Sequence, residues 1–396
     1  MPLPWRENSL AEPEIYLLVA LSGRALAVAA RRAGRRAVVA DLFGDTDTRA
    51  SAEASLVVDG DFDDGFEAAA LLAAAERLAP ASSPPRCGLV YGSGLESRTD
   101  LLAQLADGRR LFGNAPATVA RTKNPREFFA LLERLGLAYP AIAYAPPAEP
   151  AGWLMKRVGG SGGGHVEPAR AGATHDGGCY FQRRVAGLSV GASFLADGRR
   201  ALLLGFSEQW SSPESFRFGG LLQPAAIGKQ VAAAIAAALD GLTRELSLVG
   251  LNSLDLIVDG DDFHILEVNP RPGANLDVFD GDRAGLFGLH VAACAGRLPE
   301  RWTPPAQATA MSVLYAERAL RVPRPVSWPD WVADRPAAGA RIEAGAPICT
   351  VLAAAPTRAG ARTAIAARTA HVFSQLLDGE DSAMFAAAEE MSHHAP

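Results

Sequence analysis

Asp255, Glu267, Asn269 and Arg271 all fall within "LNSLDLIVDGDDFHILEVNPR", residues 251–271. They are three oxygen donors and a guanidinium set around two apolar runs that read as a β-hairpin turning at Asp-Gly-Asp-Asp. A connection at Gly260, Asp261 and Asp262 pairs Asp259 with Phe263, Ile257 with Ile265, Asp255 with Glu267 and Ser253 with Asn269. Side chains alternate along strands, so Asp255, Glu267 and Asn269 share one face with Ile257 and Ile265. Two carboxylates facing each other on a half-buried face repel unless a cation sits between them. Oxygen-only donors suit a hard ion, Mg2+ before Mn2+, with water and phosphate oxygens completing its shell. The alternatives are a protonated carboxyl or an ion pair with Arg271, and a one-residue shift of the turn would offset the facing pair.

A second chemical stretch is "WLMKRVGGSGGGHV", residues 153–166. A short strand delivers Lys156 just ahead of Gly159, Gly160, Ser161, Gly162, Gly163, Gly164 and His165. No apolar side chain interrupts this run, so it packs no core. Its amides can wrap an anion, and its glycines let backbone approach phosphate closely. A flexible linker has the same composition. The GK[ST] of a Walker loop is absent, and Ser22-Gly23-Arg24 makes no GxGxxG. His165 reads first as a loop side chain, with phosphate or substrate contact as the alternative. No Ser/His/Asp or Cys/His pattern points to a covalent protein intermediate.

The elements that must hold these residues follow from periodicity. "IYLLVALSGRALAVAARRAGRRAVVADLF" reads strand, turn, amphipathic helix closed by Gly34, strand: a βαβ opening and a parallel sheet. Helices are expected over 67–79, 126–136 and 225–246, and a strand into a Gly turn at "CGLVYGSGLE". The Pro-rich 144–152 marks a junction. Short strands and turns are expected from Trp153 to Gln223. A last strand pair is expected around "ARIEAGAPICTVLA", and a frayed helix from about Asp378. Tyr91 to Glu96 and Ser22 to Arg24 end strands where an open sheet keeps its binding crevice; they line an acceptor site or are simple turns. Trp210 reads as packing, with a substrate border as the alternative. His393 and His394 read as a solvated tail.

The 396 residues carry 49% hydrophobic and 21% charged side chains, an ordinary globular balance. A net charge of −6 gives no electrostatic case for nucleic acid or an anionic membrane. The run Ile15–Leu21 is too short to span a bilayer. Four scattered cysteines fit reduced thiols and a cytoplasmic location.

Taken together, these motifs resemble the ATP-grasp superfamily from about Ile15 to Arg297. The resemblance implies a mixed α/β and α+β fold: a Rossmann-like N-terminal domain (1–115), a lid subdomain (116–186) and a C-terminal ATP-grasp subdomain with the metal hairpin (187–298). A small β-containing C-terminal extension (299–396) follows. Lys123, in "RTKNPREFFALLERLGLAYP", matches the family's first lysine, which opens a helix; Lys156 matches the second. "FQRRVAG" (181–187) resembles the adenine hinge, with Gln182 where many members carry Glu and with the backbone of Arg184 and Val185 facing the base. Asp255, Glu267 and Asn269 match the metal ligands, Glu267 bridging two Mg2+, and Arg271 matches a basic residue facing phosphate or the reacting carboxylate. Ser253 departs from an Arg found two residues before the first metal-binding Asp. "YGSGLE", "GLNSLD", "LEVNPRPGANLD" and the tail motif resemble the branch likened to biotin carboxylase, and ligases that add glutamate to one-carbon cofactors of the methanofuran or tetrahydromethanopterin type.

The resemblance implies an ATP- and Mg2+-dependent carboxylate–amine ligase working through an acyl phosphate, with glutamate the first amine to consider and a homodimer compatible with the family. The rivals are a bicarbonate-using carboxylase, although no biotinyl context is evident, and a non-catalytic nucleotide-binding regulator.

Overall fold

The computed structural model describes residues 13–392 other than 82–85, 171, 173–176, 213–214 and 281–284; His393 and His394 lie outside them. Its first layer is a five-stranded parallel sheet in the order Ala54–Val57, Ala37–Asp41, Ile15–Val19, Cys87–Tyr91, Arg110–Leu111. The expected βαβ opening is present, with helix Arg24–Arg32 making the crossover. Its inner strands are apolar without alternation because both faces are covered: Leu17, Leu18 and Val19 have no exposed surface. Strand order reverses about Ile15–Val19, which opens a crevice beyond its C-terminal end, where Ser22–Arg24 and Gly92–Ser93 lie.

A four-stranded antiparallel sheet follows, built of Val166–Pro168, Trp153–Arg157, Cys179–Arg183 and Ile142–Ala143. Lys123 closes the helix Pro116–Lys123 rather than opening one. The next helix, Pro125–Arg134, starts on Asn124, whose side chain accepts the Arg126 N–H at 3.0 Å.

The largest layer is an eight-stranded sheet running Asp262–Asn269, Val249–Asp259, Leu188–Asp197, Ala201–Ser211, Phe218–Gln223, Ala308–Tyr315, Pro347–Ala355, Val332–Ala333. The short strands expected here are instead 10 and 11 residues long at Leu188–Asp197 and Ala201–Ser211. Gly191 and Gly205 both pair within these long strands, and a bulge at Leu204 follows the Ser193–Gly205 pair. Helix Lys229–Leu246 covers one face, packing Ile235, Leu239 and Leu242 near Leu254, Leu256 and Ile265.

The region after 298 completes this sheet, because Ala308–Tyr315 pairs with Phe218–Gln223. The strand pair expected around 340–353 is not a pair. Arg341–Ile342 joins Leu320–Arg321, while Pro347–Ala355 joins Ala308–Tyr315 and Val332–Ala333. The final helix begins at Arg358, well before Asp378, and seats Ala361, Ile365, Val372 and Leu376 on the core at helical spacing.

Candidate functional site

The hairpin reaches its functional register by a route the sequence reading missed. The turn is two residues, Gly260 (φ 60°) and Asp261, so Asp259 faces Asp262, Ile257 faces His264 and Leu256 faces Ile265. Left alone, that one-residue shift would separate the carboxylates. A bulge leaves Leu266 without a cross-strand partner, and the ladder then resumes with Asp255 opposite Glu267 and Ser253 opposite Asn269. Ile265 therefore lies with Leu256 in the core, both fully buried, and not beside the carboxylates.

Around this pair the charges interlock. Lys123 Nζ donates to Glu267 Oε2 at 3.1 Å and to Asn269 Oδ1 at 3.0 Å. Asn269 Nδ2 donates to Asp255 Oδ2 at 2.8 Å, and Gln209 Nε2 to Asp255 Oδ1 at 3.2 Å. Burial, then the Glu267 charge, pushes Asp255 up to about 6. Burial pushes Glu267 up as well, but the ammonium groups of Lys123 and Lys156 outweigh it and hold Glu267 down at about 2. In this pair the first proton goes to Asp255, because Glu267 is the one in contact with a lysine.

Lys156 is buried on Trp153–Arg157, its Nζ 3.3 Å from Gln182 Oε1 on the neighbouring strand. Burial alone would lower its pKa; Tyr180, Glu267 and Asp255 raise it, so it stays an ammonium. Gln182 is 2% exposed, and its Nε2 has no partner among the described residues. Arg184 commits its N–H to Gly152 O at 2.8 Å.

The glycine loop closes over the same space. Gly159, Gly162 and Gly163 have φ of 75°, 69° and 80°, conformations that side chains disfavour. A Cβ on Gly163 would collide with Phe216 O, and Phe218 N–H donates to Gly162 O at 2.9 Å. His165, bonded to Ser161 O at 3.3 Å, stands in the fields of Glu267, Lys156 and Lys123; burial is the largest influence and lowers its pKa. It belongs to the site electrostatically.

Beyond Glu267 the site opens into a cavity of about 730 Å³ shared by the N-terminal crevice, the large sheet and the C-terminal region. Arg271 lines it, with Nε donating to Glu96 Oε1 at 2.8 Å. Glu96 is itself buried. Burial pushes its pKa up, but Arg271 and Lys123 hold it below the usual carboxylate range. Of the residues Tyr91 to Glu96, Gly92 and Ser93 line the cavity and Glu96 meets it through Arg271, while Tyr91 OH is spent on the carbonyls of Asn114 and Pro270. Trp210 borders the cavity and also packs on Gly220.

Two features were missed from sequence. Gln209 orients Asp255, and its signal was the alternation of Ser207 and Gln209 along one strand face. Arg24, almost fully buried, binds Asp277 and Asp334, residues more than 250 positions away; nothing local announces that.

The residues present fit a nucleotide with a hard cation. The donor set is two facing carboxylates and an amide oxygen, with lysines in place of further acids. Among the described residues, no group of three or more His, Cys, Asp or Glu gathers as a protein-only metal cage. Gln182 has an orphaned buried donor, and a Cβ on Gly159 or Gly163 of the glycine cradle would run into neighbouring backbone.

Comparison with known proteins agrees. Residues 122–275 match the ATP-grasp domain. A biotin carboxylase–β,γ-ATP complex from Campylobacter jejuni superposes with TM-score 0.67 at 14% identity, over 87% of this chain and 88% of that one. An ADP complex of N5-carboxyaminoimidazole ribonucleotide synthetase gives 0.64 at 18% identity, over 92% and 98%. The biotin carboxylase domain of Hydrogenobacter thermophilus 2-oxoglutarate carboxylase, a dimer with MgADP, ADP and bicarbonate, gives 0.66 at 13%, over 86% of each. At such identities the likeness is one of fold. Residues 122–275 match an ATP-grasp domain and follow a Rossmann-like N-terminal parallel sheet.

Proposed function

We propose that this protein is an ADP-forming carboxylate–amine ligase acting through an acyl phosphate. The observation carrying the reading is the bulged hairpin, which sets Asp255 opposite Glu267 beside two lysines and opens toward Arg271. Carboxylate oxygen is a poor leaving group and phosphate a good one, so the protein needs to position reactants and neutralise charge. Asp255, Glu267 and Asn269 would hold Mg2+, which when bound offsets phosphate charge. Lys123, which contacts Glu267 and Asn269, and Lys156, with the Gly159–His165 backbone, would hold the phosphate oxygens. Gln182 and the backbone of Arg184 and Val185 take the base. Arg271, held from behind by Glu96, steadies the reacting carboxylate.

The substrate part of the reading is an amino acid, glutamate first, joined to a cofactor precursor in the cavity, whose volume of about 730 Å³ suits an extended partner. We keep the four-part division at 115, 186 and 298 as a working one. The reading assigns the protein to the cytoplasm; four cysteines scattered along the sequence without a CxxC support this. Among the described residues no helix is long and apolar enough to cross a membrane. The test is phosphate release with MgATP across a panel of carboxylates and amines, followed by product mass. Turnover that needs both a carboxylate and an amine supports the ligase. Turnover driven by bicarbonate alone would make it a carboxylase, and ATP binding without turnover a regulator.

A further inference from the structure

Five aspartates cluster where the N-terminal crevice meets the C-terminal region, and four of them have their partners inside the protein. Asp41 accepts the N–H groups of Gly23 and Gly44. Asp47 accepts those of Asp334 and Arg335. Asp277 and Asp334 hold Arg24. Asp45 differs: it is 6% exposed and lines the cavity, yet its carboxyl makes no hydrogen bond or ion pair among the described residues. It precedes helix Thr46–Ser51 at the position where an Asp ordinarily caps, and it makes no cap bond. Arg24 is already committed to the other two acids, and Arg49, on the same cavity wall, forms no ion pair with Asp45.

A buried carboxyl facing an open cavity without a donor is costly in water's absence and is relieved by a ligand that brings one. The half-buried rings of Phe43 and Phe62 line the same cavity, their centroids 6.0 Å apart. A carboxylate and aromatic rings lining one cavity attract an organic cation, through charge and through the ring quadrupoles.

We propose that Asp45, with Phe43 and Phe62, binds the ammonium end of an organic substrate in this cavity. Naming that molecule as the amine component rests on the ligase reading; the binding itself does not. Free of ligand, Asp45 is pushed up to about 8, by burial first and then by Asp334, Asp47 and Asp41. An arriving ammonium therefore displaces a proton at pH 7.

The test titrates phenethylammonium, and its neutral isostere 2-phenylethanol, into the full chain by calorimetry without nucleotide. The ammonium should bind at least about tenfold more tightly than the alcohol. Asp45→Asn should remove that preference and leave the alcohol unchanged. Repeating the wild-type titration in buffers of different ionisation enthalpy should show proton release, a readout that holds even if the variant folds poorly. Equal affinity for the two probes, an unchanged Asp45→Asn variant, no proton release, or no saturable ammonium binding at millimolar concentration would each overturn the proposal. Absence of ATP turnover with every amine would instead remove the ligase reading and leave the binding result standing.

Discussion

At the scale of single residues, Glu267 carries three duties at once: it faces Asp255, it pairs with Lys123, and it is the carboxylate that stays ionised. Glu267→Gln keeps the shape and removes the charge. Lys123 then loses its ionic partner, while the repulsion with Asp255 is also relieved, so the two effects on folding oppose each other. Turnover should fall by at least about a hundredfold, the scale of losing one preorganised electrostatic contact. The melting temperature should stay within a few degrees. A steady-state assay alongside a thermal melt checks both halves, and full activity in a folded variant would remove Glu267 from the site.

His290 is a residue whose chemistry is structural. Its Nδ1 accepts the Leu251 N–H at 2.8 Å and its Nε2 lies 3.0 Å from Phe112 O, joining helix Leu286–Cys294 to the hairpin strand and to the N-terminal domain. Burial lowers its pKa to about 4, against the carbonyl of Phe112, which favours the protonated ring. The folded state thus binds fewer protons than the unfolded one below pH 6.5. Stability from this group is complete above that pH and drains away as pH falls toward 4, by roughly 3 kcal/mol for a shift of about 2.5 units. Urea unfolding should show this decline in the wild type. His290→Gln should be less stable at neutral pH yet flatter between pH 6.5 and 4.

At the scale of elements, the hairpin shows where sequence reading succeeds and where it stops. Alternation and an Asp-Gly turn were enough to read two strands and to pair Asp255 with Glu267. The reading assumed a three-residue connection; the chain uses a two-residue turn and a bulge at Leu266, and the two differences cancel at the carboxylates. Turn length and bulges are settled by core packing on both sides, here Leu256 and Ile265 beneath the helix Lys229–Leu246, and a one-dimensional pattern does not contain that. The parallel sheet and the glycine loop were legible for the opposite reason, being local. Inserting one alanine between Leu266 and Glu267 should keep the turn and the Leu256–Ile265 contact but shift Glu267 and Asn269 by one position onto the wrong face. Mg2+-dependent stabilisation by ATP, read from the thermal melt, should vanish while the circular dichroism of the β-sheet remains. Retained stabilisation would mean that the bulge does not set the register.

At the scale of the whole molecule, the cavity has walls from three distant parts of the chain, and Arg24 ties them together. It opens the first helix of the N-terminal domain, meets Asp277 just after the hairpin, and meets Asp334 in the C-terminal region. Ser22 adds a bond to Asp334 at 2.7 Å, and Thr46 bonds to Arg335 O. This explains why the region after 298 was read as an appendage: its ties to the rest, among them the strand ladder and the buried guanidinium, form across more than 80 residues. A buried charge network is a weak source of net stability when intact, but breaking it strands the remaining charges. Arg24→Met should therefore cost about 3–5 kcal/mol, because it leaves Asp277 and Asp334 buried without their cation. Adding Asp334→Asn to Arg24→Met should restore part of that loss, since one stranded charge is gone. Urea unfolding of the two single variants and the double variant closes a thermodynamic cycle on the pair. Additive losses would mean that Arg24 and Asp334 are not coupled, and that other contacts hold the C-terminal region.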